Sequence, residues 1–254
     1  MFGVKDVFTT VNLLGGAVAI CLCIEGYPFA AGVAVMLGYL FGDTLDGWVA
    51  RKLGSANAFG AAYDTIADHL AHCIAPAAIV YTVYKDAGLL SSFVGNQLLA
   101  VFLASIIMVA ASIRHARNEV QPVRYRGVWA GLPRSVLGFC SIAYVNATLA
   151  PYLAGGFWLG VVLIPALCAV TLTHLPFPSH HLARKHIWYV RVLIAMFFVT
   201  TFGILIIVPH FMFDVLFVWM FGYALTSWMS LNTDERTEYR KAVELAVQGS
   251  SNHS

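Results

Sequence analysis

Charged side chains are scarce in this chain. Asp, Glu, Lys and Arg make up 11% of its 254 residues, against about a quarter in a soluble domain. That excludes a water-facing surface of ordinary composition. Net charge is nearly absent as well. A balance of +2 at pH 7 is too small to attract a polyanion, so no nucleic-acid partner is expected. Cysteine is sparse and scattered: Cys21, Cys23, Cys73, Cys140 and Cys168 contain no Cys-x-x-Cys pair. Neither a zinc site nor a disulfide framework follows from that pattern, and these residues read as small buried hydrophobes. A leader cleavage site is missing too. The first apolar segment has only Lys5 among Lys and Arg before it, and Glu25-Gly26-Tyr27-Pro28 behind it forms a turn.

What is present is apolar. Hydrophobic residues make up 59% of the chain, in runs of about 20 without period-two alternation, so helices rather than a barrel are expected. Eight runs are legible, at roughly 7–25, 28–50, 57–84, 91–113, 127–149, 152–174, 190–208 and 211–230. The expected fold is an all-α integral membrane protein of about eight transmembrane helices, with the last two added to a six-helix core. Residues 1–231 read as a single transmembrane catalytic domain, and 232–254 as a polar, partly disordered tail. With both termini in the cytoplasm, Lys85 alone of the 15 Lys and Arg falls outside, as the positive-inside rule requires. The longer cytoplasmic connections, Arg114–Arg126 and His174–Ile187, put the functional side there, at a cell membrane whose anionic lipid suits the basic face. Trp158, Trp188, Trp219 and Trp228 lie near helix ends, as in interfacial belts.

Against this background four carboxylates stand out. Asp43, Asp46, Asp64 and Asp68 are four of the chain's 13 acidic residues, set among Ala, Gly, Leu, Ile and Phe. An ionised carboxylate at membrane depth costs several kcal/mol unless it is compensated. Asp43 and Asp46 are three apart and share a helical face. Gly60, Asp64 and Asp68 run at intervals of four on the next helix. An antiparallel pair brings the two sets together, with Gly47 and Ala50 adding little bulk. Four such groups cannot all stay ionised unaided. All-oxygen ligation points to Mg²⁺, Mn²⁺ or Ca²⁺, and Mg²⁺ is commonly shared with substrate phosphates.

The spacing is also a family pattern. Asp43-x2-Asp46-Gly47-x2-Ala50-Arg51-x8-Gly60-x3-Asp64-x3-Asp68 resembles the CDP-alcohol phosphotransferase signature at every fixed position. The resemblance implies a membrane enzyme that moves a phosphoalcohol group from a CDP-linked donor to a hydroxyl and releases CMP. It implies metal ligation by Asp43, Asp46, Asp64 and Asp68, with Asp68 also acting as base. It implies a cytidine and diphosphate pocket lined by Gly47, Ala50, Arg51 and Gly60, and it makes a homodimer plausible.

Within the family, phosphatidylserine synthases are similar at His69-Leu70-Ala71-His72-Cys73-Ile74-Ala75-Pro76-Ala77, at Arg114-His115-Ala116-Arg117-Asn118, at Gly131-Leu132-Pro133 and at Phe177-Pro178-Ser179. Arg134-Ser135 and His180-His181 depart from the usual continuations. The resemblance implies CDP-diacylglycerol as donor and L-serine as acceptor, with glycerol 3-phosphate or an inositol phosphate as the alternative. Arg114, Arg117 and Arg134 are the candidate acceptor ligands, because a guanidinium binds carboxylate or phosphate in a bidentate manner. His69 and His72 read as polar helix residues with hydrogen-bond partners, His174, His180, His181 and His186 as a surface loop, and Asn12 as a polar exception that faces the pocket. A cation transporter is the non-enzymatic alternative, but no inverted repeat is evident.

Overall fold

The computed structural model describes residues 3–53, 57–153, 155–179, 187–227 and 231–251. Most of them are helical. In chain order the elements are α1 (Val4–Ile24), α2 (Pro28–Gly38), α3 (Thr44–Leu53), α4 (Ala58–His69), α5 (Ala75–Tyr84), α6 (Phe93–Val120), β1 (Val128–Ala130), α7 (Arg134–Asn146), α8 (Phe157–Leu172), β2 (Pro176–Pro178), α9 (Ile187–Ile207), α10 (Met212–Ala224) and α11 (Thr233–Ser251). Two π-helical turns, Tyr39–Asp43 and Leu70–Ile74, join α2 to α3 and α4 to α5. Among the described residues, four helical segments are long and apolar enough to cross a membrane: Val4–Ile24, Pro28–Gly47, Ala58–Tyr84 and Phe93–Val120. Phe157–Leu172 and Val192–Ile207 are shorter apolar helices. This is the all-α, multi-pass membrane architecture that the hydrophobic runs imply. The run expected at 127–149 opens instead as β1 and the Gly131 turn, which leaves α7 with 13 residues.

The chain divides into two compact units, Met1–Met108 with Ala150–Val162 and Val109–Leu149 with Leu163–Ser254. In the first unit α1 is the hub and packs on α2, α3, α4, α5 and both π turns. Small residues make that possible. A Cβ on Gly15 would lie 2.8 Å from Gly38 Cα, and one on Gly16 would lie 2.9 Å from Ala71 Cα. Without a hydrophobic drive between helices in lipid, such close backbone approach is a main source of association. The chain reverses at Gly26, whose φ of +82° suits glycine. Pro28 then starts α2 with its φ already helical. The outer faces stay apolar, as at Val4, Leu14, Phe93 and Leu98, which lipid rather than water can solvate.

In the second unit α10 packs against α7 and α9. Asp214, buried near the start of α10, accepts hydrogen bonds from Thr148 N at 3.2 Å, Thr148 Oγ1 at 3.0 Å and Leu149 N at 2.9 Å. β1 and β2 pair antiparallel, with Trp129 opposite Phe177. Gly131 follows β1 at φ +73°, and a Cβ there would lie 2.6 Å from Thr173 O. On α11, Tyr239 is buried with Val128 and Leu231, and its hydroxyl donates to His174 O at 2.8 Å.

Candidate active site

Three local elements deliver the four aspartates. Asp43 closes the first π turn, and Asp46 lies one residue into the body of α3 beyond Thr44 and Leu45. Asp64 and Asp68 lie on α4, whose start is fixed by Asn57 accepting the Gly60 N–H at 2.7 Å. The second π turn follows at once and carries His72.

Two donor groups result among the described residues. One oxygen each from Asp43, Asp46 and Asp64 lie within 4.8 Å of one another, as do ligand atoms of Asp43, Asp68 and His72. Asp43 belongs to both groups. Asp46 is buried and Asp43, Asp64 and Asp68 are partly so. The donor chemistry fits a divalent cation: hard oxygens in excess, close enough to converge, in a setting where like charges would otherwise repel.

Helix α1 supplies the neutral side of the site. Thr9 Oγ1 donates to Asp46 Oδ2 at 2.8 Å, and Asn12 Nδ2 donates to Asp68 Oδ1 at 3.0 Å. Both residues are fully buried. Asn12 Oδ1 is buried without a hydrogen-bond partner among the described residues, a state that costs about 1–3 kcal/mol unless water or a ligand reaches it. Asn12 thus faces the aspartate group at Asp68. Thr9 has no counterpart in the sequence reading, although its spacing of three from Asn12 was a usable signal. Gly60 turns toward the first turn of α1. A Cβ there would lie 2.8 Å from both Lys5 Nζ and Asp6 Oδ1, and those two atoms are themselves 3.8 Å apart.

His72 is the larger surprise. Its Nδ1 lies 3.5 Å from Asp68 Oδ1 and its side chain is 1% exposed. The row Gly60, Asp64, Asp68 continues by four to His72, so the signal was in the spacing. Gly47 is partly buried on α3. The side chains of Ala50 and Arg51 fall outside the described residues, as do His180, His181 and His186.

The three arginines belong to the second unit. Arg114 is buried and donates to Ala130 O at 3.4 Å and Gly131 O at 3.5 Å. Arg117 donates to Leu172 O at 2.6 Å, Thr173 O at 3.0 Å and Ala130 O at 3.2 Å. They thereby clamp the loop that follows β1. Arg134 opens α7. The two segments similar to the Gly-Leu-Pro and aromatic-Pro-Ser loops are thus joined: β1 runs into Gly131-Leu132-Pro133, and β2 contains Phe177 and Pro178.

Comparison with known proteins gives the family. A family model described as CDP-alcohol phosphatidyltransferase matches residues 3–175. An archaetidylserine synthase of Methanothermobacter thermautotrophicus is 36% identical over 92 residues, 35% of this chain and 39% of that protein. A CDP-diacylglycerol–serine O-phosphatidyltransferase of Methanocaldococcus jannaschii is 31% identical over 155 residues, 58% of this chain and 66% of its own length. One of the same name from Mycobacterium leprae is 23% identical over 192 residues, 74% of this chain and 62% of its own. The chain therefore spans less than two thirds of the length of each of these relatives.

Proposed function

The chain belongs to the CDP-alcohol phosphatidyltransferase family, and from that premise we propose that it transfers the phosphatidyl group of CDP-diacylglycerol to the hydroxyl of L-serine. The products are phosphatidylserine and CMP. The observation that carries this reading is the pair of acid-rich donor groups that share Asp43, which suits a diphosphate substrate that must be charge-neutralised. The names of the relatives favour serine as acceptor.

Asp43, Asp46, Asp64 and Asp68 hold a divalent cation, Mg²⁺ or Mn²⁺, for which Ca²⁺ is a bound substitute. When bound, the cation neutralises the diphosphate and stabilises the charge that builds on the leaving phosphate. Asp68 accepts the proton of the serine hydroxyl. The serine oxygen then bonds to the lipid-side phosphorus, the bond from that phosphorus to the CMP oxygen breaks, and CMP departs with the electron pair. Asn12 holds Asp68 in place through its amide. Gly47, Ala50, Arg51 and Gly60 line the nucleotide pocket. Arg114, Arg117 and Arg134 are the arginines we assign to the acceptor carboxylate; Arg114 and Arg117 act through the loop that they clamp. Residues 1–231 serve as one catalytic domain with 232–254 as its tail. The reaction faces the cytoplasm, with both termini on that side, because all Lys and Arg but Lys85 then fall within.

Purified protein given CDP-diacylglycerol, Mg²⁺ or Mn²⁺ and labelled serine should yield labelled lipid and CMP in equal amounts. Product with glycerol 3-phosphate or an inositol phosphate, and none with serine, would overturn the acceptor and leave the family chemistry intact.

A further inference from the structure

We propose that His72 is itself a metal ligand, so that the donor group of Asp43, Asp68 and His72 takes its cation through nitrogen as well as oxygen. The inference rests on the divalent-metal reading above and adds to it the identity of a ligand.

The imidazole is almost wholly buried, at 1% exposure, with Nδ1 3.5 Å from Asp68 Oδ1. That contact alone would be an ordinary pair one helical turn apart. The third member decides the matter. Asp43 arrives from a different helical segment, and its carboxylate oxygen still falls within 4.8 Å of the donor atoms of both Asp68 and His72. A simple His–Asp pair has no use for a second carboxylate, whereas a cation does. The surroundings also fix the imidazole. Tyr39 meets the ring edge-on, with centroids 5.8 Å apart and planes at 72°, and Asn12 orients the neighbouring Asp68 Oδ1. Partners of this kind set ligand orientation in metal sites. Tyr39 and Asp43 are the first and last residues of one π turn and His72 lies in the other, so both wide turns serve one group. Such turns are frequent at functional sites.

The chemical consequence is selectivity. Carboxylate-only groups suit Mg²⁺ and Ca²⁺, whereas imidazole shifts preference toward transition metals, with Mn²⁺ the mildest case. The group of Asp43, Asp46 and Asp64 offers oxygen only, and the group with His72 does not. The two therefore differ in their ranking of Mg²⁺ and Mn²⁺.

The test uses the full chain in detergent, loaded with Mn²⁺ alone and read by pulsed electron paramagnetic resonance. Bound Mn²⁺ should show electron-spin-echo modulation from an imidazole nitrogen. The pattern should change when histidine is labelled with ¹⁵N, which needs no substitution. H72Q should abolish the modulation and weaken Mn²⁺ binding at least about tenfold, the lower end of the loss seen for outer-shell partners, while Mg²⁺ binding falls less. H69Q should keep the modulation. Bound Mn²⁺ without histidine modulation in the unsubstituted protein, or modulation that survives H72Q, would overturn the proposal and leave the carboxylate site standing. Failure to bind Mn²⁺ at all would overturn both.

Discussion

Asp214 and Asp68 are both carboxylates on apolar helices, and they are treated in opposite ways. Asp214 in the second unit receives three neutral donors, two backbone amides and a hydroxyl. It is a structural fastening between the end of α7 and the start of α10. Asp68 in the first unit receives an amide from Asn12 but also faces Asp43 and His72. A carboxylate meant to hold a fold together is neutralised by dipoles. The reading proposed for Asp68 requires the opposite, a carboxylate set among other ligand atoms that a cation would join. Burial alone does not distinguish the two, since the structural carboxylate is the more deeply buried.

The sharpest way to separate them is to withdraw the cation. Chelation should abolish CMP release and lower the thermal midpoint in detergent, because a ligand bound only by the folded state stabilises it by mass action; Mg²⁺ or Mn²⁺ should restore both. An unchanged midpoint and undiminished turnover would place the first unit's carboxylates in the structural class. Next in size is D68N. Loss of a general base typically costs about 10²- to 10⁴-fold, so CMP release should fall by that factor with nucleotide binding retained.

D214A should do the reverse. It strands the amides of Thr148 and Leu149, at a cost of about 1–3 kcal/mol in thermal or denaturant unfolding, and CMP release per folded molecule should be unchanged. The smallest effect should come from Y239F, which removes one hydrogen bond to His174 and costs about 0.5–1.5 kcal/mol. Burial raises the Tyr239 hydroxyl from 10 to about 12, against an opposing pull from the charge of Arg117. The folded state thus prefers the protonated phenol. Its contribution is complete below pH 10 and is lost as pH climbs toward 12. Unfolding followed across that window should show a steeper decline for the unsubstituted protein than for Y239F.

The carboxylate half of the candidate site was legible because helix geometry turns sequence spacing into position. Asp43 and Asp46 at three apart, and Asp64 and Asp68 at four, could only converge if their helices paired. The same arithmetic reached His72, but a histidine in an apolar helix resembles any satisfied polar residue until Asp43 is seen beside it. Thr9 was hidden because α1 reads as a membrane anchor, and its spacing of three from Asn12 is the one local mark of a threonine that donates across to Asp46. β1 and β2 were illegible for a different reason. Each has three residues, and β2 contains two prolines, which argue against a strand wherever both edges must be paired. The four long spans followed from hydropathy. The lengths of α7 and α10 did not, because the turns that shorten them lie inside apolar runs.

One feature of the first unit reaches beyond its chemistry. Each wide turn accommodates one residue more than an α-helix would use over the same stretch, and each residue rotates the helix by about 100°. Asp43 therefore depends on a surplus residue between positions 39 and 43, and His72 on one between 70 and 74. Deleting Leu40 or Ala71 would remove no donor atom, yet it would swing the helix on one side of the turn by more than a quarter of a revolution relative to the other. The site is in that sense guarded by counting: it tolerates exchange of those apolar side chains for similar ones but not a change in their number, and a deletion scan would expose constraints that a substitution scan passes over.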